Sequence, residues 1–318
     1  MAMRGMLVAV VSALLLQAAC VAEAQTLKLG YYSQTCPSAE SIVFDEVQKA
    51  SNIDKRTPAA LLRLHFHDCF VNGCDASVLL ESSDNQAEKN AAPNQSLRGY
   101  DVINKAKARI EAVCKQRVSC ADILAYAARD SVRIATGGYN YNYKVPGGRP
   151  DGTVSKASMA LANLPPHNQR NVQMLAKSFT NKNLTMDDLI VLSGAHTLGV
   201  SRCGTFQYRL MNDQDKGMNA TFRNDLRRQC NYNANNVVPL DAGSTYAFDT
   251  SYYANVLANK TVLESDAALN SPSTVARVRQ LKDPYTFIRS FEAAMGRMGA
   301  LRTSNPGKVR DYCWKVRT

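Results

Sequence analysis

Several features that define common classes of protein are missing from this 318-residue chain. After residue 24 the chain has no run of about 18 or more apolar residues, so no transmembrane helix is expected. The formal net charge of +11 comes without a long Lys/Arg block or a nucleic-acid motif. It therefore predicts a basic, solvated surface that could bind polyanions only weakly. Period-two alternation is scarce, and no repeat or Pro/Ser/Gly-rich linker divides the chain, so one mainly helical domain is predicted.

The first 24 residues differ from the rest of the chain. Arg4 precedes an almost entirely apolar run from Met6 to Ala19, and the segment closes with an A-x-A pattern at residues 22–24. This pattern is typical of a secretory signal peptide, so residues 25–318 are predicted to form the mature domain. A membrane anchor is the alternative, but the run is too short to span a bilayer comfortably.

Secretion determines how the cysteines are interpreted. Cys20 lies in the signal peptide, and the eight other cysteines are Cys36, Cys69, Cys74, Cys114, Cys120, Cys203, Cys230 and Cys313. An even number in an oxidising compartment predicts four disulfides, whereas a metal cluster is disfavoured because no C-x-x-C pair is present. Spacing leaves the pairing open, apart from a local Cys69–Cys74 bridge across Asn72-Gly73. Four N-x-S/T sequons, at Asn94, Asn183, Asn219 and Asn259, suit the same compartment.

Helical patterns cover most of the chain. Ten segments are predicted to be helical, at residues 38–51, 57–70, 100–114, 119–137, 171–182, 185–203, 219–230, 249–260, 271–283 and 284–301. Ser38 and Thr57 are predicted N-caps, with Pro58 at the first helical position after Thr57. The spacing of Thr185 and Asp188 predicts a capping box.

The segment LLRLHFHDCF (61–70) concentrates ionisable residues in an apolar helix. Arg63 and His67 are four residues apart and share one helix face, whereas His65 and Phe66 point elsewhere. A further histidine, His196, lies near the end of another apolar helix. A lone histidine that ligates iron, facing a His/Arg pair that acts on an iron-bound ligand, would suit a haem site. Taken singly, each histidine is more commonly an ordinary packed or surface residue.

Long motifs of the chain resemble those of the class III secretory plant peroxidases, a haem-containing family. The resemblance covers essentially the whole mature chain and includes RLHFHDCFVNGCDASVLL, VSCADILAYAARD, DLIVLSGAHTLG and FIRSFEAAMGRMG. It implies an all-α fold of about ten helices, with one haem b enclosed between a distal and a proximal half. It also implies two calcium ions and the disulfides Cys36–Cys114, Cys69–Cys74, Cys120–Cys313 and Cys203–Cys230.

The resemblance also implies roles for individual residues around the haem. On the proximal side, His196 resembles the axial iron ligand, and Asp266 resembles the carboxylate that accepts its other ring N–H. On the distal side, His67 resembles the general base and Arg63 the residue that stabilises developing negative charge. The remaining distal assignments are Asn94 as the acceptor for His67, Glu88 as the support of Asn94 and link to calcium, and Phe66 as a wall over the haem.

Two sets of oxygen ligands resemble the calcium sites of the family, in keeping with the preference of calcium for six to eight oxygens. The distal set is Asp68, Asp75 and Ser77 side chains with the Val71 and Gly73 carbonyls, and Glu88 is connected to it. The proximal set is Thr197, Asp241, Ser244, Ala247 and Asp249. Without the resemblance these residues would be interpreted as polar loop residues.

The predicted function is that of a secreted, monomeric haem peroxidase. It would use hydrogen peroxide to oxidise phenols and other small aromatic donors in one-electron steps, outside the cell or in the cell wall rather than in the vacuole. Pro146 resembles the residue that helps to hold aromatic donors, and Ala92 is small where some relatives carry an aromatic residue. Two alternatives stay open from the residues alone: a metal-dependent hydrolase using His65, His67 and an acidic residue, and a cell-wall binding or structural glycoprotein. No H-E-x-x-H motif supports the hydrolase.

Several positions depart from the family pattern. Ser244 and Thr245 replace a usual threonine and proline, Pro150 replaces an arginine, and Tyr143 replaces a tryptophan. The loop after Asn94 is one residue shorter than usual, which puts the support of Asn94 in question. Asn94 beside His67 would be buried, so its sequon is not expected to carry a glycan. His65 and His167 are assigned no functional role.

Overall fold

The computed structural model describes residues 26–137, 143–211, 215 and 217–317. The predicted signal peptide lies outside the described residues. Within them, thirteen α-helices and one two-stranded sheet form the fold, so the prediction of a mainly α-helical protein is confirmed. None of the described helices is long and apolar enough to cross a membrane.

The helices are numbered here in chain order. The first seven are α1 (Ala39–Ile53), α2 (Thr57–Asn72), α3 (Tyr100–Val113), α4 (Cys120–Ala135), α5 (Ala157–Asn163), α6 (Val172–Thr180) and α7 (Met186–Ser193). The other six are α8 (Gln207–Met211), α9 (Ala220–Cys230), α10 (Ser251–Leu257), α11 (Glu264–Ala267), α12 (Val275–Gln280) and α13 (Pro284–Gly299). Strands β1 (Val200–Arg202) and β2 (Val237–Pro239) pair antiparallel.

Side chains at the helix N-termini explain where several helices begin. The predicted capping box is present at α7, where the Thr185 hydroxyl and the Asp188 carboxylate each accept from the other's backbone N–H. Ser38 occupies the N-cap position of α1, although its side chain makes no capping hydrogen bond. The prediction of Thr57 as an N-cap is wrong by one residue, because Thr57 is the first residue of α2 and follows Arg56.

The predicted helix at 185–203 is wrong in its second half. Helix α7 ends at Ser193, a 3-10 turn follows at Gly194–Thr197, and the chain then enters β1. Gly199 has a φ of +92°, which suits glycine, and its N–H donates to the Thr245 carbonyl at 2.8 Å. His196 therefore lies on a tight turn beside α7, and not within a regular helix.

The main core surrounds α4. Its residues are almost all buried, and α1, α2 and α3 pack against it. A second apolar cluster includes Phe206, Phe222, Leu226 and Val238 around the Cys203–Cys230 disulfide. Helix α13 packs against α7 and α2. Through α13, this packing connects α2, which carries His67, with α7, and the turn after α7 carries His196.

Four disulfides cross-link the described residues, and two of them join distant parts of the chain. Cys36–Cys114 joins the segment before α1 to the end of α3, and Cys120–Cys313 joins the start of α4 to the C-terminal segment. Cys69–Cys74 and Cys203–Cys230 close shorter loops. These are the pairs that the resemblance implies. Cross-links of this kind stabilise a fold mainly by restricting the unfolded chain.

Candidate active site

Helix α2 carries three of the predicted haem-site residues, Arg63, Phe66 and His67, and also Asp68 and Val71 of the predicted distal calcium set. Its leucines face the core, where Leu61 and Leu64 are fully buried, and this orientation fixes the other faces of the helix. Arg63 and His67 lie one turn apart, as their spacing predicts. Phe66 is partly buried and packs against Phe70 with ring centroids 4.3 Å apart.

His67 is held by a chain of hydrogen bonds. Its Nδ1 lies 2.6 Å from Asn94 Oδ1, and the Asn94 amide donates to the main-chain carbonyl of Glu88 at 2.8 Å. Asn94 is 1% exposed and ends a 3-10 turn at Ala92–Asn94. The short loop after Asn94 therefore leaves this support in place. The support comes from the Glu88 backbone and not from its carboxylate.

Arg63 is anchored to the same loop. One guanidinium nitrogen donates to the Pro93 carbonyl at 2.8 Å, and another donates to Ser96 Oγ at 3.0 Å. The sequence indicated Ser96 only as part of the Asn94 sequon and not as a partner of Arg63, because the two residues are 33 positions apart. The loop at 93–96 thus orients both Arg63 and the acceptor of His67.

Electrostatics favour a neutral His67. Burial lowers the pKa of His67 to about 3, and the positive charge of Arg63 acts in the same direction. The hydrogen bond to Asn94 opposes this shift but does not cancel it. With the Nδ1 proton directed at Asn94, the other ring nitrogen, Nε2, carries the free lone pair.

The other histidine, His196, is also bound through Nδ1. Asp266 Oδ1 lies 2.9 Å from this nitrogen, and the Tyr252 hydroxyl donates to the same oxygen at 2.8 Å. Burial lowers the pKa of His196, but the Asp266 charge and hydrogen bond outweigh it, so the pKa is raised overall. The charge of Arg63 acts on the pKa of His196 in the lowering direction, with a smaller effect than Asp266.

Buried oxygens cluster at the predicted distal metal site. Both carboxylate oxygens of Glu88 and the Ser77 hydroxyl are buried without a hydrogen-bond partner in the described structure. Burial, followed by the charge of Asp68, raises the pKa of Glu88 to about 9. Burial and the charge of Asp75 also raise the pKa of Asp68. Three buried carboxyl groups that disfavour one another's ionisation are suited to a divalent cation.

The two predicted carbonyl ligands of this site have different surroundings. Gly73 has a φ of +85°, and a Cβ there would lie 2.4 Å from the Arg302 carbonyl, so only glycine fits. The Val71 carbonyl accepts a hydrogen bond from Lys182 Nζ at 3.1 Å. Thr303, which the sequence did not indicate, donates to Asp75 Oδ2 at 2.5 Å.

The five residues of the predicted proximal metal site also lie together. Thr197 Oγ1 is 3.2 Å from carboxylate oxygens of both Asp241 and Asp249, and 3.5 Å from the Ala247 carbonyl. Ser244 joins the group through Ser251, whose hydroxyl lies 2.7 Å from Ser244 Oγ and 2.6 Å from Asp241 Oδ2. Ser251 was not predicted, although it is only two residues from Asp249.

Pro146 is held through its main-chain carbonyl. Its carbonyl accepts from Arg149 Nη1 at 2.6 Å, and the residue borders a small cavity with His65 and Tyr143. A role for Pro146 in holding aromatic donors stays a prediction.

Arg149, which precedes Pro150, forms a buried ion pair with Asp122 at 2.8 Å. Pro150 therefore does not prevent this ion pair.

His65 packs beside a disulfide. A ring nitrogen lies 3.7 Å from Cys69 Sγ, and the side chain is buried. His65, Cys69 and Cys74 lie close enough to suggest a metal site, but the two sulfurs are bonded to each other and are not thiolates. Since His67 is directed at Asn94 instead, the two histidines of α2 do not form the metal pair that a hydrolase would need.

Comparison with known proteins identifies the family. The family model described as Peroxidase matches residues 43–283. Peroxidase 5 of Vitis vinifera is 46% identical over 305 residues, which cover 92% of this chain and 91% of that protein. The chain belongs to the class III plant peroxidase family. Peroxidase 39 of Arabidopsis thaliana is 43% identical, with 92% of each chain covered, and Peroxidase 3 of the same plant is 41% identical, with 90% and 91% covered.

Membership of the family implies a haem group, and the site residues of this peroxidase fit one. His67 and His196 each have Nδ1 bound to a protein acceptor, which leaves Nε2 of both rings for other partners. A neutral imidazole supported by a carboxylate is a suitable axial ligand for iron. Two groups of oxygen atoms likewise suit calcium: the buried Glu88 carboxylate, which lacks a hydrogen-bond partner among the described residues, and the oxygen cluster around Thr197.

Proposed function

We propose that Arg63 and His67 form the pair through which this peroxidase acts on hydrogen peroxide, with haem b held by His196. One observation carries the proposal: Asn94 holds His67 through Nδ1, one helical turn from Arg63, which the Pro93 carbonyl holds. Burial lowers the pKa of His67 and so favours its neutral form. When bound, the haem supplies an iron centre that exchanges electrons with hydrogen peroxide and with the reducing substrate.

The chemistry of the protein residues follows from their protonation states. The free Nε2 of His67 accepts a proton from one oxygen of hydrogen peroxide and returns it to the other oxygen, which leaves as water. The guanidinium of Arg63 stabilises the negative charge that develops on the departing oxygen. Because Pro93 and Ser96 hold Arg63 in advance, little reorganisation accompanies the step.

The proximal residues set the properties of the iron ligand. Asp266 accepts the Nδ1 proton of His196, so the imidazole is oriented with Nε2 free and gains electron density. A more electron-rich ligand favours ferric over ferrous iron. Phe66, partly buried beside Phe70, is proposed to lie against the haem as an apolar wall.

Small phenols are the proposed reducing substrates, oxidised in successive one-electron steps. Ala92 is exposed and small, next to the loop that carries Asn94, and it leaves room for an aromatic ring on the distal side. The contacts of Pro146 do not add to this part of the proposal.

Two calcium ions are proposed, one at each oxygen cluster. The distal ion would be held by Asp68, Asp75, Ser77 and the Val71 and Gly73 carbonyls, close to the carboxylate of Glu88. The proximal ion would be held by Thr197, Asp241, Ser244, Ala247 and Asp249. Asp68 follows His67 directly, and Thr197 follows His196, so each ion would stabilise the backbone beside one histidine.

The proposed location is outside the cell. Four disulfides are consistent with an oxidising compartment. Asn183 and Asn219 are exposed and open to glycosylation, whereas Asn94 is buried and bonded at both ends of its amide. A monomer with weak affinity for cell-wall polyanions is proposed from the net charge of +11.

The absorption spectrum of the purified, haem-loaded protein tests the proposal. A Soret band together with phenol oxidation that requires hydrogen peroxide is expected. His67→Ala should lose the activity and keep the band, and the matched variant His167→Ala should keep both, because His167 is exposed. A protein that binds no haem would contradict the role of His196, and phenol oxidation at the wild-type rate by His67→Ala would contradict the role of His67.

A further inference from the structure

Two side chains share one oxygen of Asp266. His196 Nδ1 lies 2.9 Å from Oδ1, and the Tyr252 hydroxyl lies 2.8 Å from the same atom. Asp266 is 3% exposed and Tyr252 is 2% exposed, so water has little access to either group. The two hydrogen bonds therefore compete for the negative charge of one buried carboxylate oxygen.

The position of Tyr252 is fixed by its surroundings. The residue belongs to α10, and its ring meets the His196 ring edge-on, with centroids 6.3 Å apart and an angle of 78° between the planes. Burial, followed by the charge of Asp266, raises the pKa of Tyr252. The phenol thus keeps its proton and acts as a donor to Asp266.

We propose that Tyr252 is a positioning residue that limits, through Asp266, how much electron density His196 gives to the haem iron. The hydroxyl draws charge toward itself and weakens Asp266 as an acceptor for the His196 proton. Without the hydroxyl, Asp266 would bind that proton more strongly, and the imidazole would become more anionic. The proposal rests on the proposed role of His196 as the axial ligand.

Replacing Tyr252 by phenylalanine tests this proposal in the haem-loaded protein. Tyr252→Phe should shift the ferric/ferrous reduction potential to a more negative value. It should also raise the iron–imidazole stretching frequency of the ferrous protein in resonance Raman spectra. Both measurements report on the ligand bond, and a role of Tyr252 in packing alone would change neither in this direction.

The neighbouring tyrosine supplies a matched control. Tyr253 is also buried on α10, and its hydroxyl lies 3.2 Å from the Ile190 and Val191 carbonyls. Tyr253→Phe removes a buried hydroxyl of the same kind without touching Asp266, so the potential and the stretching frequency should stay at the wild-type values. Tyr252→Leu is a second hydroxyl-free variant, to be used if the phenylalanine variant fails to retain haem.

The route through Asp266 has its own test. In an Asp266→Asn background, Tyr252→Phe should shift the potential much less than in the wild type, because the shared carboxylate is gone. An unchanged or more positive potential in Tyr252→Phe, with haem retained, would overturn the proposal. The absence of an iron–imidazole stretch in the wild type would instead overturn the assignment of His196, so the two failures can be told apart.

Discussion

His67 Nδ1 lies 2.6 Å from Asn94 Oδ1, and this contact determines which nitrogen of the ring is available for chemistry. Asn94 Oδ1 can only accept, because the Asn94 amide nitrogen is used in a hydrogen bond to the Glu88 carbonyl. The proton of neutral His67 must therefore reside on Nδ1. The free lone pair on Nε2 follows from a residue 27 positions away in the sequence.

Removing this acceptor should slow the reaction with hydrogen peroxide. In Asn94→Leu the His67 ring loses its fixed tautomer, and a buried N–H without a partner costs about 1–3 kcal/mol, which corresponds to roughly 5- to 160-fold in rate. Stopped-flow mixing with hydrogen peroxide measures the effect. Asn94→Asp retains an acceptor and should lose less, and equal rates for the wild type and Asn94→Leu would remove Asn94 from the account.

The rate should depend little on pH in the mildly acidic range. Since burial lowers the pKa of His67 to about 3, the ring stays neutral and able to accept a proton far below the ordinary histidine value. The rate constant for hydrogen peroxide should be flat from neutral pH downward and should fall only as the pH approaches 3. A fall centred near the ordinary pKa of free histidine would show that His67 is not buried in this way.

Metal analysis should find two calcium ions per chain. Asp75→Asn should remove the distal ion, and Asp249→Asn should remove the proximal ion, each leaving one. Because calcium binds the folded state, its presence at 100 times its Kd stabilises by about 2.7 kcal/mol, so chelation should lower the thermal midpoint. Loss of the distal ion should reduce the rate with hydrogen peroxide more, since Asp68 adjoins His67. Active protein without bound calcium would contradict both sites.

Asp266→Asn should raise the ferric/ferrous potential and leave the haem bound. The amide can still accept the His196 proton, but the negative charge that favours ferric iron is lost. Each tenfold weakening of the preference for ferric iron corresponds to about 59 mV in a one-electron couple. Redox titration of the two proteins measures the shift. An unchanged or lower potential would mean that Asp266 is only a residue of the short helix α11 and does not act on His196.

Helix boundaries were predictable from the sequence where interactions between neighbouring residues determine them. The capping box at Thr185 and Asp188 depends on two residues of one turn, and it is present as predicted. The end of α7 depends instead on the pairing of β1 with β2, some 35 residues later, and the helix was predicted too long. Periodicity cannot show such pairing, because apolar residues suit the end of a buried helix and a short buried strand equally.

The same contrast between local and long-range interactions applies to the residues of the site. The shared face of Arg63 and His67 follows from helix geometry, and the family motifs indicated Asn94 and Asp266. Ser96 and Thr303 were missed because they lie 33 and 228 residues along the chain from the side chains that they contact. Tyr252 was missed, although it donates to Asp266, because the two residues lie on different helices, α10 and α11. Contacts of this kind become visible only when the fold brings the segments together.

The reaction of His67→Ala with hydrogen peroxide tests the central claim most directly. General acid–base catalysis contributes about 10²- to 10⁴-fold, and His67 supplies both the base and the acid. Haem-loaded His67→Ala should react with hydrogen peroxide at least 10²-fold more slowly than the wild type in stopped-flow measurements, on the scale of that contribution. His167→Ala should react at the wild-type rate. A decrease of less than about tenfold in His67→Ala, with the haem band intact, would contradict the assignment of His67 as the catalytic base.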